Sequence, residues 1–229
     1  MTLGASVFVI VPAYNEAPII RSTIKQLLDL GYKVVVVDDG SSDDIWHEVS
    51  VLPIYLLRHR INLGQGAALQ TGMTFALQEG AEILVHFDAD GQHQAADISA
   101  LIDPLRRGES EVVFGSRFLR KTDREAVPFF RRLLLKIGVV VNSISTGVWL
   151  SDAHNGLRAL SATAARQLEL KENGYAHASE ILGQVRKLNL RYAERPTTIV
   201  YNDYSRATGQ SMWNSLNIVF DLLVGRLLK

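Results

Sequence analysis

Glu82-Ile83-Leu84-Val85-His86-Phe87 runs directly into Asp88-Ala89-Asp90-Gly91-Gln92-His93. So short and continuous an apolar run, closed by Gly-containing turn residues, predicts a strand covered on both faces rather than a half-exposed one. Similar runs occupy 6–11, 33–37, 53–57 and 111–114. Between them lie helical patterns: Ile19, Ile20, Ile24, Leu27 and Leu28 on one stripe, then 66–78 with small residues on one side, and 97–106; a short helix or turn falls near 43–49. Strands alternating with helices predict an α/β fold, a Rossmann-like, mostly parallel sheet with helices on both faces. Beyond Arg117 the pattern changes to a long apolar stretch over 129–149, a helix over 176–188, a strand over 191–200 and an amphipathic helix over 212–228.

The chain has 229 residues, 47% of them hydrophobic and 21% charged, which fits one globular domain and excludes a disordered or low-complexity chain. The expected division is a catalytic unit over 1–210 and a C-terminal amphipathic helix over 211–229. Lys and Arg total 24 and so do Asp and Glu, so no general nucleic-acid affinity is expected. With no cysteine there is no disulfide framework, thiol nucleophile or thiolate metal site. The apolar start is broken by Pro12-Ala13-Tyr14-Asn15-Glu16 and follows no basic residue, so it reads as a strand and not a secretory signal. The uncharged stretch 137–151 is polar in places and shorter than a bilayer span, so no transmembrane helix is expected.

In open α/β sheets ligands sit beyond the carboxyl ends of the strands. Three polar clusters share that position here: Pro12 to Glu16, Asp38-Asp39-Gly40-Ser41-Ser42-Asp43, and Asp88 to His93. Asp88 and Asp90, alternate carboxylates at a strand end, suit Mg²⁺ or Mn²⁺ bound together with a diphosphate. The plainer alternative, an acidic turn with Asp97 capping the next helix, is outweighed by the strand before them and the two companion clusters. Asp38 and Asp39 are adjacent like charges that need donors, which a nucleoside base and ribose can provide. Tyr14 is suited either to stack on the base or to pack. Asn62-Leu63-Gly64-Gln65-Gly66 lacks the spacing of a dinucleotide or Walker loop and reads mainly as a close-packing turn.

Val11-Pro12-Ala13-Tyr14-Asn15-Glu16, Val36-Val37-Asp38-Asp39-Gly40-Ser41, Asn62-Leu63-Gly64-Gln65-Gly66, Phe87-Asp88-Ala89-Asp90-Gly91-Gln92-His93 and Phe114-Gly115-Ser116-Arg117-Phe118 occur in that order. As an ordered set they resemble the family 2 glycosyltransferases of GT-A fold, and most of all the dolichyl- or polyprenyl-phosphate sugar synthases. The resemblance implies an inverting, metal-dependent transfer from a nucleoside-diphosphate sugar, with UDP as the expected carrier, to polyprenyl phosphate. It implies that Pro12, Tyr14, Glu16, Val37 and Asp39, with Asp88 and Ala89, hold the nucleotide. It implies that Asp88, Asp90 and Gln92 bind Mg²⁺ or Mn²⁺, and that Arg117, Arg131 and Arg206 face the acceptor phosphate; Asp90, Arg117 and Arg206 are the expected catalytic set. Relatives commonly place a Lys where Met212 stands, a departure that removes one phosphate contact. The segment Asp152 to Arg158 matches a later Asp-x-x-x-Gly-x-Arg motif of these enzymes, either contacting the acceptor or holding that side together.

A hydroxyl acceptor needs a general base, for which Asp152 and Glu180 are the candidates; an anionic phosphate needs none. Between Arg117 and Lys136 seven basic residues face two acidic ones, and the stretch leads into apolar residues, as in a helix lying on an anionic membrane. A core or dimer helix has the same periodicity. Peripheral attachment at the cytoplasmic membrane face is therefore expected, through interfacial helices, a separate small membrane protein or self-association. Transfer to a glycan hydroxyl and a non-catalytic sugar-nucleotide scaffold are the alternative readings.

Overall fold

The computed structural model describes residues 6–120, 139–140, 143–144, 146–153, 155–174 and 176–200. Its seven strands are β1 (Val7–Ala13), β2 (Lys33–Asp38), β3 (Tyr55–Arg58), β4 (Ile83–His86), β5 (Val112–Ser116), β6 (Arg158–Ser161) and β7 (Tyr192–Pro196). They form one sheet in the order β3-β2-β1-β4-β6-β5-β7. All neighbouring pairs are parallel except those of β6, which runs antiparallel to both β4 and β5. The predicted mostly parallel sheet is thus present, with one reversed strand inserted beside β4, the strand that leads into Asp88.

Every residue of β1 is buried, and alternate side chains enter different cores. Phe8 and Ile10, with Val35 and Val37 of β2, pack under α3 (Gln65–Gln78), α5 (Ala162–Gln167) and α6 (His177–Lys187). Val7, Val9 and Val11 pack on the opposite face under α1 (Ala17–Asp29), α2 (Ile45–Val49) and α4 (Ile98–Arg106). Each such fully buried aliphatic or aromatic side chain contributes roughly 1.5–3 kcal/mol. Helix α3 has a face of small residues: Gly66, Ala68, Gly72 and Ala76 are all buried, and Gly72 lies directly against Ile10 and Val37 of the sheet.

Two elements go beyond the sequence reading: β6 begins at Arg158, the last residue of the Asp152 to Arg158 motif, and α5 follows it, in a stretch to which the sequence reading assigns no element. The strand expected over 191–200 pairs with β5 as far as Pro196, and further on only Ile199 bridges, to His93. The amphipathic helix expected over 211–229 and the basic segment over 121–138 lie outside the described residues.

The turn before α3 is a packing device. A Cβ on Gly66 would lie 2.0 Å from the Glu172 carbonyl oxygen and 3.0 Å from His177 Cβ. Backbone cannot give way cheaply, so Gly66→Ala will destabilise the fold by about 2–3 kcal/mol, read as a lower denaturant midpoint at unchanged m-value.

Candidate active site

The loops after β1 and β2 are sewn to one another. Asn15, whose left-handed φ of 56° is one that Asn tolerates, turns its side-chain oxygen to accept the Ser42 and Asp43 N–H groups at 2.9 and 3.4 Å. The Asn15 N–H donates to Ser41 Oγ, and Asp43 accepts the Ala17 N–H at 2.8 Å at the start of α1. Tyr14 stands beside this seam with 47% of its surface exposed, available for a ligand. Pro12 is buried, and Glu16 is half-buried with its carbonyl accepting the Ile19 and Ile20 N–H groups. Val37 is fully buried under α3, so its side chain faces core; its place in the ladder holds Asp38 and Asp39 at the strand end.

Asp38 pairs with Arg58 at 3.1 Å and accepts the Ser41 N–H. Asp39 accepts the Leu63 and Gly64 N–H groups at 3.0 and 2.7 Å, and His59 Nδ1 lies 2.6 Å from it. The Gly66 N–H donates to the Asn173 carbonyl at 2.8 Å. The Leu63, Gly64 and Gly66 N–H groups are therefore engaged within the protein, which favours the close-packing reading of 62–66. Asp39 already anchors that loop, which leaves little of its accepting capacity for a nucleoside.

Asp88 and Asp90 come together beyond β4. Gln65 Nε2 donates to Asp88 Oδ1 at 2.9 Å, and His93 Nε2 lies 3.1 Å from Oδ2; because a carboxylate only accepts, that nitrogen is the donor. Gln92 holds Asp90 with both its backbone N–H (3.0 Å) and its side-chain amide (2.6 Å). Ala89 is buried and its carbonyl accepts Thr23 Oγ1 at 3.2 Å, which pins the turn. Burial raises the Asp90 carboxyl, and the Asp88 charge raises it further. Burial acts upward on Asp88 too, but the His93 hydrogen bond and the Arg158 charge outweigh it and hold that carboxyl below its ordinary value.

This donor set fits a hard divalent cation. Two carboxylates and the Gln92 amide oxygen are oxygen ligands, and a cation between them relieves the repulsion that raises Asp90. A Cβ on Gly156 would fall 2.0 Å from Asp88 Oδ2, so the backbone of that loop forms the wall of the cradle. Among the described residues no group of three His, Cys, Asp or Glu is arranged to hold a metal alone.

Beneath Asp88 lies a buried basic group that the sequence reading missed. His86, Arg158 and His177 are 1%, 3% and 4% exposed. Both His86 ring nitrogens and Arg158 Nη1 are buried with no hydrogen-bond partner among the described residues, while Arg158 Nε donates to the Asn155 carbonyl at 3.2 Å. Burial, followed by the Asp88 and Asp152 charges acting the other way, leaves Arg158 at about 10. Burial and the Arg158 charge push His177 down to about 4, and His86 well below its ordinary value. Between pH 4 and 6.5 the unfolded chain thus binds more protons than the folded one. Stability is full above pH 6.5 and falls as pH drops to 4, by about 3 kcal/mol for His177. His177→Gln will flatten the slope of melting temperature against pH across that window.

Just beyond β5, Arg117 is 7% exposed and Asp152 2% exposed, and they form a two-pronged ion pair, Nε–Oδ2 2.6 Å and Nη2–Oδ1 2.8 Å. The Arg117 N–H donates to the same carboxylate at 3.1 Å. Asp152 is thereby held as a structural anion. Glu180 accepts the Lys171 and Glu172 N–H groups at 3.0–3.1 Å and secures the strip that packs on Gly64 and Gly66. Arg131, Arg206 and Met212 lie outside the described residues. Asp97 stands at the head of α4 but makes no capping bond; its carboxylate accepts the Thr198 N–H instead.

A parallel sheet with one reversed strand, ending in acidic loops, defines the GT-A class of glycosyltransferases. The solved structures that it resembles include a glucosyl-3-phosphoglycerate synthase from Mycobacterium tuberculosis in complex with Mg²⁺ and UDP, at TM-score 0.68 and 22% identity over 97% of this chain and 79% of that one. Residues 8–168 match the model of glycosyl transferase family 2, and the chain belongs to that family. Its relatives include an uncharacterised protein of Methanocaldococcus jannaschii, 33% identical over 96% of this chain and 92% of that protein. A UDP-N-acetylglucosamine–dolichyl-phosphate N-acetylglucosaminyltransferase of Methanococcus voltae is 31% identical over 95% of each chain. An undecaprenyl-phosphate mannosyltransferase of Micrococcus luteus is 29% identical over 85% of this chain and 83% of that one. The chain is a glycosyltransferase with polyprenyl-phosphate sugar synthases among its relatives.

Proposed function

We propose that this glycosyltransferase moves a sugar from a UDP-sugar to polyprenyl phosphate, with inversion at the sugar C1, working peripherally at the cytoplasmic face of a membrane. The observation that carries the choice of acceptor is the engagement of both candidate bases. Asp152 is locked to Arg117, and Glu180 is bonded to two backbone N–H groups. A hydroxyl acceptor needs a free base; a phosphate acceptor is already anionic near neutral pH. The names of the Methanococcus voltae and Micrococcus luteus relatives support lipid phosphate, and the first of them supports a UDP carrier.

In this reading a phosphate oxygen attacks C1 from the face opposite the leaving group. The new C1–O bond forms as the bond to the nucleoside diphosphate breaks, and no proton has to be removed. A divalent cation, when bound, supplies the positive charge that stabilises the departing diphosphate. Asp88 and Asp90 would hold it, with Gln92 fixing Asp90 and His93 and Gln65 fixing Asp88. Tyr14 offers its exposed ring to the base. Arg117, fixed by Asp152, contributes a rigid positive centre on the acceptor side, and Arg131 and Arg206 are assigned to the acceptor phosphate. Among the described residues no helix is long and apolar enough to cross a membrane, so we assign membrane contact to the basic segment over 117–136 and to the helix over 211–229, with a small membrane protein or a second copy as further anchors.

Two results test this reading. Chelation with EDTA will abolish transfer to polyprenyl phosphate, and Mn²⁺ or Mg²⁺ will restore it. Glu180→Gln will leave turnover per folded molecule within about threefold of the parent; a loss above a hundredfold at unchanged melting temperature would identify Glu180 as a base and favour a hydroxyl acceptor.

A further inference from the structure

An Asp at a helix head ordinarily accepts the N–H of the second or third helical residue. Asp97 does not. Its side chain, 12% exposed, reaches across to residue 198: Oδ2 accepts the Thr198 N–H at 2.7 Å, and Oδ1 lies 3.8 Å from Arg120 Nη1. Arg120 Nη1 also lies 3.4 Å from Thr198 Oγ1. One residue further on, Ile199 pairs with His93 in an isolated antiparallel bridge, and the Val200 N–H donates to the Gln92 carbonyl at 2.9 Å. The segments 92–97 and 197–200 therefore clasp each other at both ends, by backbone at Gln92 and His93 and by one carboxylate at Asp97.

The clasp grips the two residues that orient the acidic pair. Gln92 holds both oxygens of Asp90, and His93 holds Asp88. From the other side, residues 197–200 are fixed to the sheet: the Thr197 N–H donates to the Ser116 carbonyl at 2.9 Å, and Asn155 Nδ2 donates to the buried Thr197 hydroxyl. The metal loop is thereby referred to β5 and not left to its own turn.

We infer that Asp97 is a positioning residue for the cation and diphosphate site, acting through the 197–200 segment on Gln92 and His93. The inference rests on the metal reading of Asp88 and Asp90. A misplacement of a few tenths of an ångström at two carboxylates weakens metal binding, whereas the nucleoside-facing loops after β1 and β2 are held by separate bonds and keep their affinity.

The test is Mn²⁺ titration in the presence of UDP, followed by electron paramagnetic resonance, with uridine affinity by calorimetry as the control. Asp97→Ala is expected to weaken Mn²⁺ about tenfold and leave uridine affinity within twofold, the lower end of the loss typical when direct partners of metal ligands, here Gln92 and His93, are displaced. Asp97→Asn keeps an oxygen for the Thr198 N–H and is expected to recover Mn²⁺ affinity to within about threefold. Should Asp97→Ala not fold, Thr198→Pro removes the donor from the other side of the same bond and is expected to give the same loss. Mn²⁺ affinity unchanged in both Asp97→Ala and Thr198→Pro would overturn the inference. So would parallel loss of Mn²⁺ and uridine affinity with no recovery in Asp97→Asn. Parent protein that binds uridine but no Mn²⁺ alongside UDP would overturn the metal reading itself, a failure that the parent titration alone identifies.

Discussion

Asp90→Ala will lower the rate of sugar transfer by at least about a thousandfold, a barrier increase of about 4 kcal/mol, while the melting temperature of the metal-free protein stays level or rises. The two parts of that result come from one arrangement. Asp90 is largely buried beside Asp88, and burial and the Asp88 charge both act against its ionised form. Such a carboxylate costs stability when no cation is near, so its loss does not harm the fold. It is kept for what it holds. Without it the charge leaving on the diphosphate has one carboxylate-bound cation contact fewer, and Gln92 loses the group it orients. Initial rates at saturating Mn²⁺ and calorimetry on the same preparations check both halves.

The second large effect concerns stability. Asp152→Ala leaves the Arg117 guanidinium buried and without its two-pronged partner, at an expected cost of about 3–5 kcal/mol measured by denaturant unfolding. The paired replacement Arg117→Met with Asp152→Leu will recover much of that loss, because removing both charges together leaves no buried ion uncompensated. If Asp152 worked as a base, the single variant would instead keep its stability and lose only turnover. The contrast separates an anchor from a catalyst in one pair of measurements.

The strands that form the centre of the sheet were legible because burial on both faces writes an uninterrupted apolar run, as in β1, β2 and β4. Strand β6 was not. It is four residues long, begins with Arg158, and gains its place by pairing antiparallel with strands that come 40 or more residues earlier in the sequence, which no local pattern signals. Asp88 and Asp90 could be singled out because their role depends on position at a strand end, which the sequence displays. A helix cap is the local alternative that Asp97 offers in the sequence; the N–H that its carboxylate accepts is instead 101 residues away. Likewise the guanidinium of Arg117, which the family resemblance assigns to the acceptor phosphate, is held by Asp152, 35 residues on, a contact that no local pattern signals. His93 and Gln65 lay within motifs already picked out, but their bonds to Asp88 depend on how three loops converge.

The acceptor distinguishes a lipid-phosphate sugar synthase from a glycan transferase. Purified protein incubated with UDP-sugars, Mn²⁺ and either polyprenyl phosphate or a free glycan, with the product partitioned between organic and aqueous phases, measures it directly. The prediction is sugar label in the organic phase with polyprenyl phosphate and none transferred to the glycan. Transfer to the glycan with no lipid-linked product would contradict it.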